Sequence, residues 1–204
     1  MLSDNLKEID AKDATIVCAS KYVGAESIRK MYNLGIKNMG ENRVQAFLGK
    51  YDELKDLDII WHFIGHLQTN KVKDVINKIE YLHSLDSIKL ANEIEKYSMK
   101  KIKCFIEINS GEESKSGIDY SEALNFYNEL KKYSKIEVIG FMTMAPNTTD
   151  EKIIKGVFMR LKDFKDSIDP NLKLSMGMSN DYKIALECGA THIRLGSILW
   201  KGEY

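Results

Sequence analysis

The sequence is poor in the residues that interrupt or cross-link a chain. Only two prolines, Pro146 and Pro170, occur in 204 residues, far below the usual ~5%. No proline-rich linker, low-complexity tract or shift in composition divides the chain, so a single domain over residues 1–204 is expected. The three cysteines, Cys18, Cys104 and Cys188, are odd in number and lie more than eighty positions apart. That spacing fits neither a disulfide framework nor a set of metal ligands, and it points to a reducing cytoplasm. Charge of one sign is lacking too, because thirty basic residues balance thirty acidic ones. That balance argues against a dedicated nucleic-acid binder or an electrostatic membrane binder. No apolar run approaches the ~18 residues of a membrane span, and the opening MLSDNLKEID has no apolar signal region.

What the sequence does contain is an alternation. Short β-like runs rich in Ile, Val, Phe or Leu fall at 15–20, 36–39, 59–64, 81–84, 103–108, 138–141, 172–175 and 192–195. Amphipathic helical patterns separate them. Ile28, Met31, Tyr32 and Gly35 follow helical spacing, with Gly35 placed as a stop. Val44, Phe47, Leu48 and Tyr51 repeat that spacing behind Asn42, a candidate N-cap. The longest stripe is Ile153, Ile154, Val157, Phe158, Leu161 and Phe164. Eight such alternations in one α/β domain predict a closed (β/α)8 TIM barrel. An open doubly wound sheet is the runner-up, weakened by the absence of G-x-G-x-x-G after the first strand.

Sites in such barrels lie where strands end and their following loops begin. The first run, ATIVCAS, leads straight into Lys21. A lysine held there near apolar walls would favour the free amine, which forms an imine with an aldehyde. After 172–175 comes Met176-Gly177-Met178-Ser179-Asn180-Asp181 and then a helix, which places Ser179 near a helix N-terminus suited to an anion. After 192–195 comes Gly196-Ser197, a small pair that lets backbone amides approach a ligand. Loops seven and eight are the common phosphate site of these barrels. Arg194 shares a face with Gly196 by the period of two, and an arginine inside a barrel needs an acceptor. An imine lysine, a phosphate cradle and an inward arginine together describe pyridoxal 5′-phosphate (PLP), with the arginine donating to the pyridine nitrogen.

These residues carry a resemblance. Ser20-Lys21, Gly40-Glu41-Asn42-x-Val44-Gln45 and Trp61-His62-Phe63-Ile64-Gly65-x-Leu67-Gln68-x-Asn70-Lys71 match blocks of the pyridoxal phosphate homeostasis proteins. Those proteins are the single-domain relatives of the alanine racemase N-terminal barrel (PLP fold type III). The match continues through Ser114-Lys115-x-Gly117, Met142-Thr143-Met144-Ala145-Pro146, Ser175-Met176-Gly177-Met178-Ser179-x-Asp181 and Arg194-x-Gly196-Ser197, from about residue 15 to 198. The resemblance implies a Schiff-base role for Lys21, phosphate contacts from Ser179, Gly196 and Ser197, and ring-nitrogen contact from Arg194. It also places Asn42 and Ile64 beside the ring. The function implied is binding PLP and maintaining its intracellular supply, without established catalytic turnover. Transient contact with PLP-dependent apo-enzymes is the partner expectation, and neutral charge with an enclosed site points to a monomer.

The chain departs from the family pattern in a shorter segment before the first strand, Gly24 in place of a common proline, and Ala46 in place of glutamate. The ending Trp200-Lys201-Gly202-Glu203-Tyr204 is one residue short and lacks an arginine. Related racemases take an opposing tyrosine from a second β-domain, for which 204 residues leave no expected room. A slow PLP-dependent racemase is the alternative reading, and a cofactor-free Schiff-base aldolase is a third. Lys115, in the loop after the fifth run, is a second amine that could receive the aldehyde during loading. His62, His66, His83 and His192 show no metal-ligand spacing.

Overall fold

The computed structural model describes residues 2–111 and 116–203. Each apolar run becomes a strand: β1 Thr15–Ala19, β2 Asn38–Glu41, β3 Ile60–Phe63, β4 Tyr81–Leu85, β5 Ile102–Glu107, β6 Ile136–Met142, β7 Lys173–Met178 and β8 His192–Leu195. They pair in parallel and in sequence order, and β8 returns to β1, with Thr15 beside His192 and Cys18 beside Leu195. The sheet is therefore a closed barrel, and the open-sheet alternative is excluded. The helices are α1 Leu2–Lys7, α2 Ala25–Asn33, α3 Val44–Glu53, α4 Val72–Val75, α5 Ile88–Tyr97, α6 Tyr120–Leu130, α7 Glu151–Ile168 and α8 Tyr182–Glu187. None is long and apolar enough to cross a membrane.

The largest displacement is at β2, which lies two residues beyond its expected 36–39. Apolarity ends at Met39, yet the strand continues through Gly40 to a fully buried Glu41. Pairing of Asn38 to Glu41 with Ile60 to Phe63 carries it there, and the Glu41 carboxylate is satisfied inside the fold. Likewise β7 runs on through Gly177, whose φ of 93° an L side chain rarely adopts. A Cβ there would stand 2.6 Å from the Ala185 side chain, so glycine also lets α8 pack on the strand.

Two interiors result. Between strands and helices lies an apolar shell, in which Phe47 of α3 meets Trp61 and Phe63 of β3 edge-on at centroid distances of 5.3 and 6.4 Å. Burying each such ring is worth roughly 2–3 kcal/mol. In α7 the inward stripe is Ile154, Phe158 and Leu161, while Ile153 is half exposed at its edge. Asp150 caps that helix by accepting from the N–H groups of Lys152 and Ile153. Inside the barrel itself the filling is largely polar and aromatic: His62, His83, Phe105, Ser175, His192 and Arg194 are all buried. Polar groups in such a place must bond to one another, and they do.

Candidate functional site

Register brings the proposed site residues to one end of the barrel. Val17 and Cys18 of β1 lie beside Arg194 and Leu195 of β8, while Cys18 and Ala19 lie beside Met39 and Gly40 of β2. The loops carrying Lys21, Asn42 and Gly196 therefore leave from three adjoining strands. Gly196 stands directly against β1, since a Cβ on it would be 3.5 Å from that of Ala19. Ile64, at the end of β3, donates its N–H to the Glu41 carbonyl at 2.9 Å. Its side chain lies over Gly40 beside Val17, in space that a Cβ at Gly40 would take.

Lys21 differs from the expectation of an apolar enclosure. Ser20 is the last fully buried residue of the first strand's run, and Lys21 is exposed. Its Nζ lies 4.6 Å from the ring centroid of Tyr22, itself 59% exposed. What holds the lysine's backbone is behind it. Lys50 of α3 donates to the Ser20 carbonyl at 2.7 Å and to the Glu41 carboxylate at 2.5 Å, while the Ser20 hydroxyl lies 3.2 Å from the same carboxylate. The other Glu41 oxygen accepts the Asn42 N–H at 2.7 Å. One buried ion pair thus ties the Lys21 loop to the Asn42 loop. Trp200, also fully buried, adds a bond from its indole N–H to the Ala19 carbonyl at 2.7 Å.

Asn42 does not cap α3, whose N-cap is Arg43 without a side-chain bond. Instead its Oδ1 is buried with no hydrogen-bond partner. A buried acceptor left unmade costs about 1–3 kcal/mol, so this atom is suited to a donor on a ligand. Gly65 permits the arrangement, because a Cβ there would stand 2.3 Å from the Asn42 carbonyl oxygen.

Ser179 and the Gly196 loop meet as expected, though not by way of a helix terminus. The six-residue α8 begins at Tyr182, and the Asp181 carboxylate accepts the Met178 N–H at 2.5 Å, bracing the turn. The donors come from the loop after β8: the N–H groups of Gly196 and Ile198 converge on the Ser179 Oγ at 3.2 and 3.4 Å. Ser197, between them, is exposed. Two converging N–H groups and a hydroxyl are the kind of donor set that could receive an anionic oxygen.

Arg194 is buried and points into the barrel. Its guanidinium donates to the Ser175 hydroxyl at 2.7 Å and to the Thr143 carbonyl at 3.2 Å. Burial lowers it to about 10, opposed by the charges of Asp181 and Glu107, so it stays a cation at neutral pH. Glu107, at the end of β5, is raised from its ordinary value by burial, against the bond from Ser116 at 2.6 Å. Asp181 is raised by burial as well, against the bond from Met178. Sequence reasoning passed over Glu41, Lys50, Glu107 and Trp200. Each acidic residue among them closes a strand at the barrel mouth, and that position was the available signal. Lys115 lies outside the described residues. Among the described residues no group of His, Cys, Asp and Glu could hold a metal ion.

Residues 2–203 match the family model of the alanine racemase N-terminal domain. The alanine racemase of Clostridium difficile, 16% identical, shows the same fold with a TM-score of 0.79, covering 98% of this chain and 56% of that one. The pyridoxal phosphate homeostasis protein of Aquifex aeolicus is 41% identical over 196 residues, covering 92% of this chain and 86% of that protein. Its counterpart in Helicobacter pylori is 40% identical over 192 residues, covering 91% and 86%. PipY of Synechococcus elongatus, solved with PLP bound, is 28% identical with a TM-score of 0.89 and covers 98% of this chain and 99% of that one. The chain belongs to the pyridoxal phosphate homeostasis proteins, a family built on the alanine racemase N-terminal barrel.

Proposed function

We propose that this protein binds PLP at the mouth of its barrel, attached to Lys21 as a Schiff base, and serves the intracellular supply of that cofactor. The observation that carries the proposal is convergence: a lysine loop, an unpartnered buried Asn42 oxygen, an inward arginine and a nest of N–H groups lie on adjoining strand ends. The naming of the relatives and the PLP bound in PipY support it.

The donor set suits the group. Ser179 and the Gly196–Ile198 amides would hold its phosphate, Arg194 would donate to its ring nitrogen, and Asn42 with Ile64 would border the ring. Bound there, the cofactor supplies an aldehyde for an amine and a ring that accepts electrons. Arg194 tempers the second property, because a permanent cation at the ring nitrogen opposes protonation of that atom. The residues thus favour holding over turnover. The Glu41–Lys50 pair keeps Ser20 and hence Lys21 in place against Asn42. Exposed Lys21 would leave its attachment to the cofactor open to water or to a transient apo-enzyme partner.

The test is spectral. Protein loaded with PLP should show a visible band displaced from that of the free cofactor, and Lys21→Ala should abolish it. The same band in Lys21→Ala would remove that lysine from the proposal.

A further inference from the structure

Four buried side chains inside the barrel form a hydrogen-bonded chain that begins at Arg194, and the contacts assigned to PLP leave it unused. The Arg194 guanidinium meets Ser175 Oγ at 2.7 Å, and Ser175 Oγ meets His83 Nδ1 at 2.7 Å. His83 Nε2 meets His62 Nδ1 at 2.9 Å, and His62 Nε2 meets Asn38 Oδ1 at 2.9 Å. The chain crosses from β8 through β7, β4 and β3 to the first residue of β2, and so runs from the mouth towards the opposite end of the barrel.

Its direction follows from donor chemistry. Arginine can only donate, so Ser175 Oγ accepts from it and has its single hydrogen to give to His83 Nδ1. That nitrogen therefore carries a lone pair, and the His83 proton sits on Nε2, which donates to His62 Nδ1. The His62 proton is then on Nε2 and donates to Asn38 Oδ1. The far end fixes this direction, because the Asn38 amide oxygen can only accept. Every bond runs the same way, and both imidazoles are neutral with the proton on Nε2. Bonds aligned head to tail polarise one another, most strongly when the first donor is charged.

We propose that Ser175, His83 and His62 are positioning residues for Arg194: the chain fixes the guanidinium's rotation so that its remaining N–H groups face the cofactor's ring nitrogen. The Thr143 carbonyl holds the second terminal nitrogen, at 3.2 Å. These two bonds use two of the five N–H groups, leaving three. Burial keeps both imidazoles from protonating, helped at His83 by the Arg194 cation, as the direction requires. The inference rests on the proposed contact between Arg194 and the ring nitrogen.

Two measurements test it separately from that reading. In cofactor-free protein with ¹⁵N-labelled histidine, the two rings coupled through their shared hydrogen bond should both show a protonated Nε2 and a bare Nδ1. An Nδ1–H tautomer or an imidazolium in either ring overturns the proposal, and this readout needs no variant. In PLP titrations, Ser175→Ala should weaken binding about tenfold, the size of one hydrogen bond to a charged group. That loss should vanish when Arg194→Met is already present, because there is then nothing to position. A tenfold loss that persists beside Arg194→Met means a merely structural serine and overturns the proposal. If Arg194→Met alone leaves PLP affinity unchanged, the ring-nitrogen contact itself falls, and the proposal falls with it.

Discussion

At the scale of single residues, the mouth depends on small groups in exact places. Gly65 is the clearest case, since a methyl group there would overlap the Asn42 backbone. Gly65→Ala should cost about 1–3 kcal/mol, the usual range for overpacking, and should displace the Asn42 amide. Thermal melting without cofactor reads the first effect and PLP titration the second; an unaltered melting temperature would contradict the contact. Trp200 is the other such residue. Trp200→Phe keeps most of the buried ring but leaves the Ala19 carbonyl without its donor, a loss of about 1–3 kcal/mol in denaturant unfolding.

At the scale of elements, the pair between β2 and α3 decides how the first two loops sit. Glu41 and Lys50 are both enclosed, so removing one strands a charge on the other. Glu41→Gln should destabilise the protein by about 3–5 kcal/mol and loosen the Lys21 loop. Denaturant unfolding that leaves the midpoint in place would show that the pair is not needed. This is also where the sequence was least legible. Strands such as β1 and β8 announce themselves by apolar runs, and the alternation of eight such runs carries the barrel. The end of β2 at Glu41 and of β5 at Glu107 does not show in apolarity, because each acid finds its partners on other elements. Lys21 was legible as a residue, while its exposure was not, because strand position says little about how far a long side chain is covered. Ser179 was proposed on a helix N-terminus, whereas the amides that meet it come from the loop after β8.

At the scale of the whole molecule, the polar barrel interior makes stability depend on pH. Burial, then neighbouring imidazole charge, holds His62 and His83 well below 6.5, and burial with nearby cations brings His192 to about 4. Below pH 6.5 the unfolded chain takes protons on these rings that the folded chain refuses, so stability falls as pH falls. For His192 the loss accumulates from about 6.5 down to about 4, at up to ~1.4 kcal/mol per pH unit. Glu107 and Asp181, raised by burial, act in the opposite sense only near the carboxylate range. Thermal melting from pH 7 downwards should therefore show a steep decline that begins in the histidine range, and a flat profile there would contradict three neutral imidazoles.

The whole account turns on one attachment among 26 lysines. Borohydride reduction of the PLP-loaded protein makes the imine permanent, and peptide mass mapping then locates it. The account predicts a pyridoxyl group on the peptide carrying Lys21 and its absence from that peptide when the protein is reduced before loading. A group found only on another lysine, or on none, would contradict it.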